Sequence, residues 1–182
     1  MKNRTFALAL GIMMCAGGGA YADEQMTPLA AAGDWVAFSH SEDMTDPPDL
    51  CVAASTDNPS FILRVDDQGD MEVRLANSSW SLPSNVTGNI DVSVNGHKYI
   101  YSIAANESAM VDATVSQDQL TTLVGDMETA SSMQVTAGSA PPTTISLNGS
   151  KSVLTAFMTC TGLSNPSQNT GGSNPFSSSS SN

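Results

Sequence analysis

Positive charge is scarce in this chain. Its 182 residues include 6 Lys and Arg against 18 Asp and Glu. Two of the six bases, Lys2 and Arg4, lie at the extreme N-terminus, so the chain after residue 22 carries 4 basic and 18 acidic residues, a formal charge of −14. Such a surface repels polyanions, which argues against nucleic acid and anionic lipid as partners. Another protein, and a basic one in particular, is compatible with it. The same charge also serves plain solubility.

Histidine is nearly absent too. With only His40 and His97, no zinc site built from several imidazoles can form. The chain has no G-x-S-x-G, no H-E-x-x-H and no phosphate-cradling glycine loop. Acid pairs of the glycosidase kind carry no information where 18 acids crowd one small surface. The expectation is a protein with no catalytic residues, no metal and no cofactor.

Long apolar runs are limited to one, Phe6 to Cys15, which is too short to span a bilayer as a helix. It follows Lys2 and Arg4 and precedes Ala20-Tyr21-Ala22, so residues 1–22 read as a secretory signal peptide. Cys15 is preceded by Met14 where lipoprotein processing prefers a small residue. The expected destination is the periplasm or exterior of a Gram-negative cell, with no membrane span. Removal of the signal leaves Cys51 and Cys160, and an even pair in an oxidising compartment reads as a disulfide. A reactive thiol would need a neighbouring base or cation, and neither cysteine has a clear one.

Composition divides the rest. Residues 23–33 are small and polar and read as a flexible lead-in. Residues 34–163 suit one hydrophobic core. Residues 164–182 are Ser, Asn, Gly and Pro with a single Phe176, too little apolar area to offset chain entropy, so a disordered tail is expected.

Within 34–163 the dominant signal has period two. In FILRVDDQGDMEVRL, a hairpin that sets Val65 opposite Met71 also sets Leu63 opposite Val73 and Arg64 opposite Glu72. In NIDVSVNGHKYIYSI, Asn95-Gly96 suits a type I′ turn and places Val94, Val92 and Ile90 opposite His97, Tyr99 and Tyr101. Ser116 and Gln119 form a capping box ahead of the stripe Leu120, Leu123, Val124 and Met127. Strands are expected at 133–137 and around Ile145. Ser150 then caps a helix over 151–160 whose face holds Val153, Phe157 and Cys160. The fold class is mainly β: a single-domain antiparallel sandwich or partly open barrel with two short helices, clasped by Cys51–Cys160.

Candidate sites are few. Asp66, Asp67 and Asp70 lack the spacing of a calcium loop and read as an acidic hairpin turn. Glu42, Asp43, Asp46 and Asp49, around Pro47-Pro48, are the better candidate for a patch that meets a basic partner. Trp35 and Trp80 read as core or rim residues rather than sugar platforms. Sequons at Asn77, Asn85, Asn106 and Asn148 carry little weight behind a bacterial-looking signal.

The layout from Trp35 to Cys160 resembles small exported alphaproteobacterial proteins of the invasion-associated locus B family. The resemblance rests on the early WV, the CVA, FILRV and MEVRL strands, VSVNGHKY, and the late ISLNGSKSVLTAF. It implies a β-rich envelope protein, periplasmic or surface-associated, with binding or host-interaction roles and no established chemistry. Members carry a cysteine soon after the tryptophan, whereas Trp35 leads here into VAFSH, and no functional residue carries over. The functional expectation is an exported binding protein acting through protein contact. The alternative is an acidic inhibitor or immunity protein that blocks a cationic envelope hydrolase.

Overall fold

The computed structural model describes residues 25–42 and 46–163. The expected signal peptide, Asp43 and the expected Ser/Asn/Gly tail lie outside the described residues. Eleven strands and two helices follow one another: β1 (Gln25–Ala32), β2 (Trp35–Ser41), β3 (Leu50–Ser55), β4 (Ser60–Asp66), β5 (Met71–Ala76), β6 (Asn89–Val94), β7 (His97–Ser102), β8 (Ala105–Glu107), β9 (Met110–Thr114), α1 (Gln117–Met127), β10 (Ser132–Ala137), β11 (Thr143–Ser146) and α2 (Ser150–Thr161). One sheet runs β1-β2-β3-β4-β5-β9-β8 and the other β11-β10-β6-β7. All pairings are antiparallel. Among the described residues the fold is therefore mainly β, with two sheets, no closed barrel and two helices.

Both hairpins adopt the register that their alternation dictates. Val65 pairs with Met71 and Arg64 with Glu72 across β4 and β5, and Val94 pairs with His97 and Ile90 with Tyr101 across β6 and β7. Asn95 and Gly96 both take positive φ, as a type I′ turn requires. A shift of one residue would turn every apolar side chain to water, so burial fixes the register.

The inner faces converge on a single core. Trp35, Ala53, Phe61, Leu63, Val73 and Leu75 from the first sheet meet Ile90, Val92, Met133 and Ile145 from the second, all fully buried. The helices complete it: Leu120, Leu123, Val124 and Met127 are the buried stripe of α1, behind the expected Ser116–Gln119 capping box. In α2 the buried residues are Ser150, Val153, Leu154, Phe157 and Met158. This helix packs across β1, β2 and β3. At its C-terminal end Cys160 is bonded to Cys51 on β3, 109 residues earlier in sequence.

Two expectations are corrected. Residues 25–32 form β1, although the stretch up to Gly33 reads as a flexible lead-in. An edge strand needs only one partner, so Pro28 and an irregularity before Ala30 are tolerated there. Partly buried Ala30 and Ala32 are small enough to pack against the core. Ser150, expected as the cap of the late helix, lies inside α2. It is buried, with its hydroxyl 3.4 Å from the Met127 carbonyl, and the cap position is Gly149 in the left-handed region.

Gly149 is required there for a second reason. The turn before α2 nests against the β1–β2 turn: the Asp34 amide donates to the Asn148 carbonyl at 3.0 Å, and the Trp35 indole N–H donates to the Ser146 carbonyl at 2.8 Å. A Cβ on Gly149 would lie 2.1 Å from the Ala32 carbonyl oxygen, whereas one on Gly69, also at positive φ, meets nothing within 4 Å. Gly69→Ala should therefore cost only the left-handed strain, about 1–2 kcal/mol. Gly149→Ala adds a backbone clash and should cost about 3 kcal/mol or more. Urea unfolding midpoints of the two variants will show the difference.

Candidate functional site

The first sheet begins as an up-and-down run from β1 to β5, so alternate connections fall at the same end. The β2–β3 loop and the β4–β5 turn are such a pair, and they touch: the Asp67 amide donates to the Asp49 carbonyl at 2.9 Å. The Asp49 amide in turn donates to the His40 carbonyl at 3.0 Å. Two acidic stretches separated in sequence by β3 and most of β4 are thus joined into one acidic end.

The carboxylates at this end do different jobs. Asp49 accepts at 2.7 Å from the His40 ring, which pins the loop to β2. Asp66 accepts from the amides of Gln68 and Asp70 at 3.1 and 2.9 Å and pairs with Arg64 at 3.2 Å, so it shapes its own turn. Glu42, Asp46, Asp67 and Asp70 are exposed. Among the described residues no base pairs with them. Of the candidate patch, Asp49 is joined to the β4–β5 turn and Glu42 and Asp46 lie at the same end of the sheet, while Asp43 lies outside the described residues.

A cavity of about 250 Å³ opens at the same end. The Cys51–Cys160 disulfide, Val65, Met71 and Leu163 line it together with Asp66, Asp67 and Gly69. Its lining is thus apolar on the side of the core and acidic on the side of the β4–β5 turn.

Nearby bases are already engaged. Arg64 lies 3.1 Å from Glu72, the pair expected on the wet face, and Arg74 lies 2.7 Å from Glu72 and 3.4 Å from Asp112. Burial pushes the Asp112 carboxyl above its ordinary pKa, and Arg74 offsets part of that. Lys98 pairs with Asp91 at 2.8 Å on the other sheet.

The opposite end of the first sheet has another character. Trp80 is half-buried there, in an uncharged cavity of about 340 Å³ with Leu82, Val86, Ile103 and Val111. Trp35 is fully buried in the core. Among the described residues no group of three His, Cys, Asp or Glu could hold a metal ion, and no helix is long and apolar enough to cross a membrane.

His97 belongs to a cluster that sequence reasoning missed. Asp126, on the last turn of α1, accepts from the His97 Nδ1 at 2.6 Å and from the Tyr99 hydroxyl. Asn95 Nδ2 donates to Thr129 at 3.2 Å, so the whole β6–β7 hairpin is tied to the end of α1. Burial works to raise the Asp126 carboxyl, but the hydrogen bonds from Tyr99 and His97 outweigh it and hold the pKa below its ordinary value. Burial, with Asp126 beside it, pushes the Tyr99 phenol well above its usual range. No spacing rule links residues 97 and 126; only the packing of α1 under the hairpin does.

No protein-family profile matches the chain, and no curated protein does. The chain is a two-sheet β protein, and among solved structures it is similar to invasion associated protein b from Bartonella henselae. The identity is 11%, the TM-score 0.48, and the match covers 71% of this chain and 95% of that one. That structure bears the name of the family that the sequence layout resembles.

Asp126 supports a pH prediction. Its folded-state pKa is depressed, so its contribution is complete above the unfolded carboxylate pKa of about 4 and is lost as pH falls through the lower folded value. Asp126→Asn should lose about 1–3 kcal/mol at pH 7, and that deficit should shrink toward pH 2. Unfolding midpoints of both proteins across that range are the check.

Proposed function

We propose that this is an exported, non-enzymatic binding protein of the bacterial envelope or surface that works by contact with a basic protein at the acidic end. The observation that carries the reading is the Asp67–Asp49 backbone bond. It gathers Glu42, Asp46, Asp67 and Asp70 at one end of the sheet, while the neighbouring Arg64 is held by Asp66 and Glu72. Concentrated charge of one sign raises encounter rates with an oppositely charged partner and disfavours others. The formed disulfide fits an oxidising compartment. The acidic inhibitor is the version of this reading in which the partner is a cationic envelope hydrolase. It is favoured by the same end, since a compact acidic projection can plug a basic cleft.

Retention of envelope proteins on the immobilised protein, eluted with a salt gradient, tests the reading. A basic partner should be retained at low salt and released as the ionic strength rises. Replacing Glu42, Asp46 and Asp70 together by their amides should move that release to lower salt without lowering the unfolding midpoint. If the partner is a hydrolase, the protein should also inhibit it in a salt-dependent way. A partner held through high salt, and indifferent to the three amides, would contradict docking at this end.

A further inference from the structure

The cavity at the acidic end has the dimensions and lining of a receptor for one long basic side chain. Its volume, about 250 Å³, is below the range of about 300–1,000 Å³ expected of a small-molecule pocket. The disulfide, Val65, Met71 and Leu163 form an apolar lining, and Asp66 and Asp67 stand at its acidic side. These two carboxylates differ. Asp66 is committed to Arg64 and to two amides of its own turn. Asp67 contributes its amide to Asp49, is exposed, and among the described residues its carboxylate has no partner.

We propose that this cavity is a slot for a single lysine or arginine side chain of the basic partner. The aliphatic stem lies along Met71, Val65 and the disulfide, and the cationic head meets Asp67. Long basic side chains are suited to such a slot because they bury a stem while keeping the charge in a polar setting. An anionic or neutral occupant would leave Asp67 opposed or unanswered. Charge complementarity therefore selects the occupant, and the slot gives the acidic end a position-specific anchor beyond diffuse attraction. The proposal rests on the reading of the acidic end as a protein-binding surface and names the chemistry of its anchor.

The disulfide is part of the lining. Thr161, at the end of α2, also lines it. A lysine placed there would put a tethered cation at the slot, at a helix C-terminus where positive charge is tolerated.

The test uses the oxidised protein with amide signals followed by NMR. The probes are a capped Gly-Lys-Gly peptide, its arginine analogue, and the same peptide with acetylated lysine. The expected result is saturable shifts at Cys51, Gly69, Met71 and Cys160 with the two cationic probes and none with acetyl-lysine. Asp67→Asn should weaken binding at least fivefold and Thr161→Lys should abolish it, both with unfolding midpoints near that of the parent. Asp118→Asn, which removes an exposed charge from the first turn of α1, should change nothing. Equal shifts with acetyl-lysine, an equal loss with Asp118→Asn, or shifts spread over the whole surface would overturn the slot. If a basic partner is retained equally well by Asp67→Asn, the slot fails and the function stands. If no basic partner is retained but lysine peptides still shift these amides, the slot stands and the proposed function fails.

Discussion

The attachment of α2 to the first sheet is the constraint on which the rest depends. The sheet's inner face carries Trp35, Ala37, Cys51 and Ala53 at its β2–β3 side, and α2 covers that side with Val153, Leu154, Phe157 and Met158. Two fasteners hold it. At one end the Gly149 turn nests into the β1–β2 turn, and at the other Cys160 is bonded to Cys51. The cross-link closes a loop of over a hundred residues, for which the chain-entropy account gives up to about 4–5 kcal/mol of stabilisation. It also joins the last helix to the third strand, so every element from β4 to β11 lies inside the closed loop, while β1 and β2 lie outside it.

That fastening connects stability to the candidate site. The disulfide is at once the end of the core and part of the lining of the acidic cavity. The β2–β3 loop and β4–β5 turn beside it are positioned by short backbone bonds, Asp49 to His40 and Asp67 to Asp49. The carboxylates left outward belong to loops, whereas the strands beneath them are rigid and buried. Rigid strands presenting variable loops are a common way for a β scaffold to carry a binding surface.

Much of this architecture is legible in the residues. The two hairpins are, because alternation and the Asn95-Gly96 turn leave one register that keeps the apolar face inward. The capping box and stripe of α1 are, because they depend only on local spacing. The disulfide follows from counting cysteines. What stays hidden is long-range. β1 is missed because Pro28 and a run of alanines have weak strand character, and only the neighbouring β2 makes them a strand. Ser150 is mistaken for a cap because its burial against Met127 depends on where α1 ends. The same holds for the site. The acidic loop could be read as a patch, but its union with Asp67 needs the strand order. His97 could be placed at the rim of the β6–β7 face, but Asp126 lies in a helix that sequence cannot dock.

The Cys51–Cys160 link holds α2 against the β1–β3 side of the first sheet. Amide hydrogen exchange on the oxidised and the reduced protein measures this directly. Reduction should raise exchange in α2 and in β1 to β3, while the β6–β7 hairpin, tied to α1 through Asp126, keeps its protection. Unchanged exchange in α2, or a uniform loss of protection across both sheets, would contradict it.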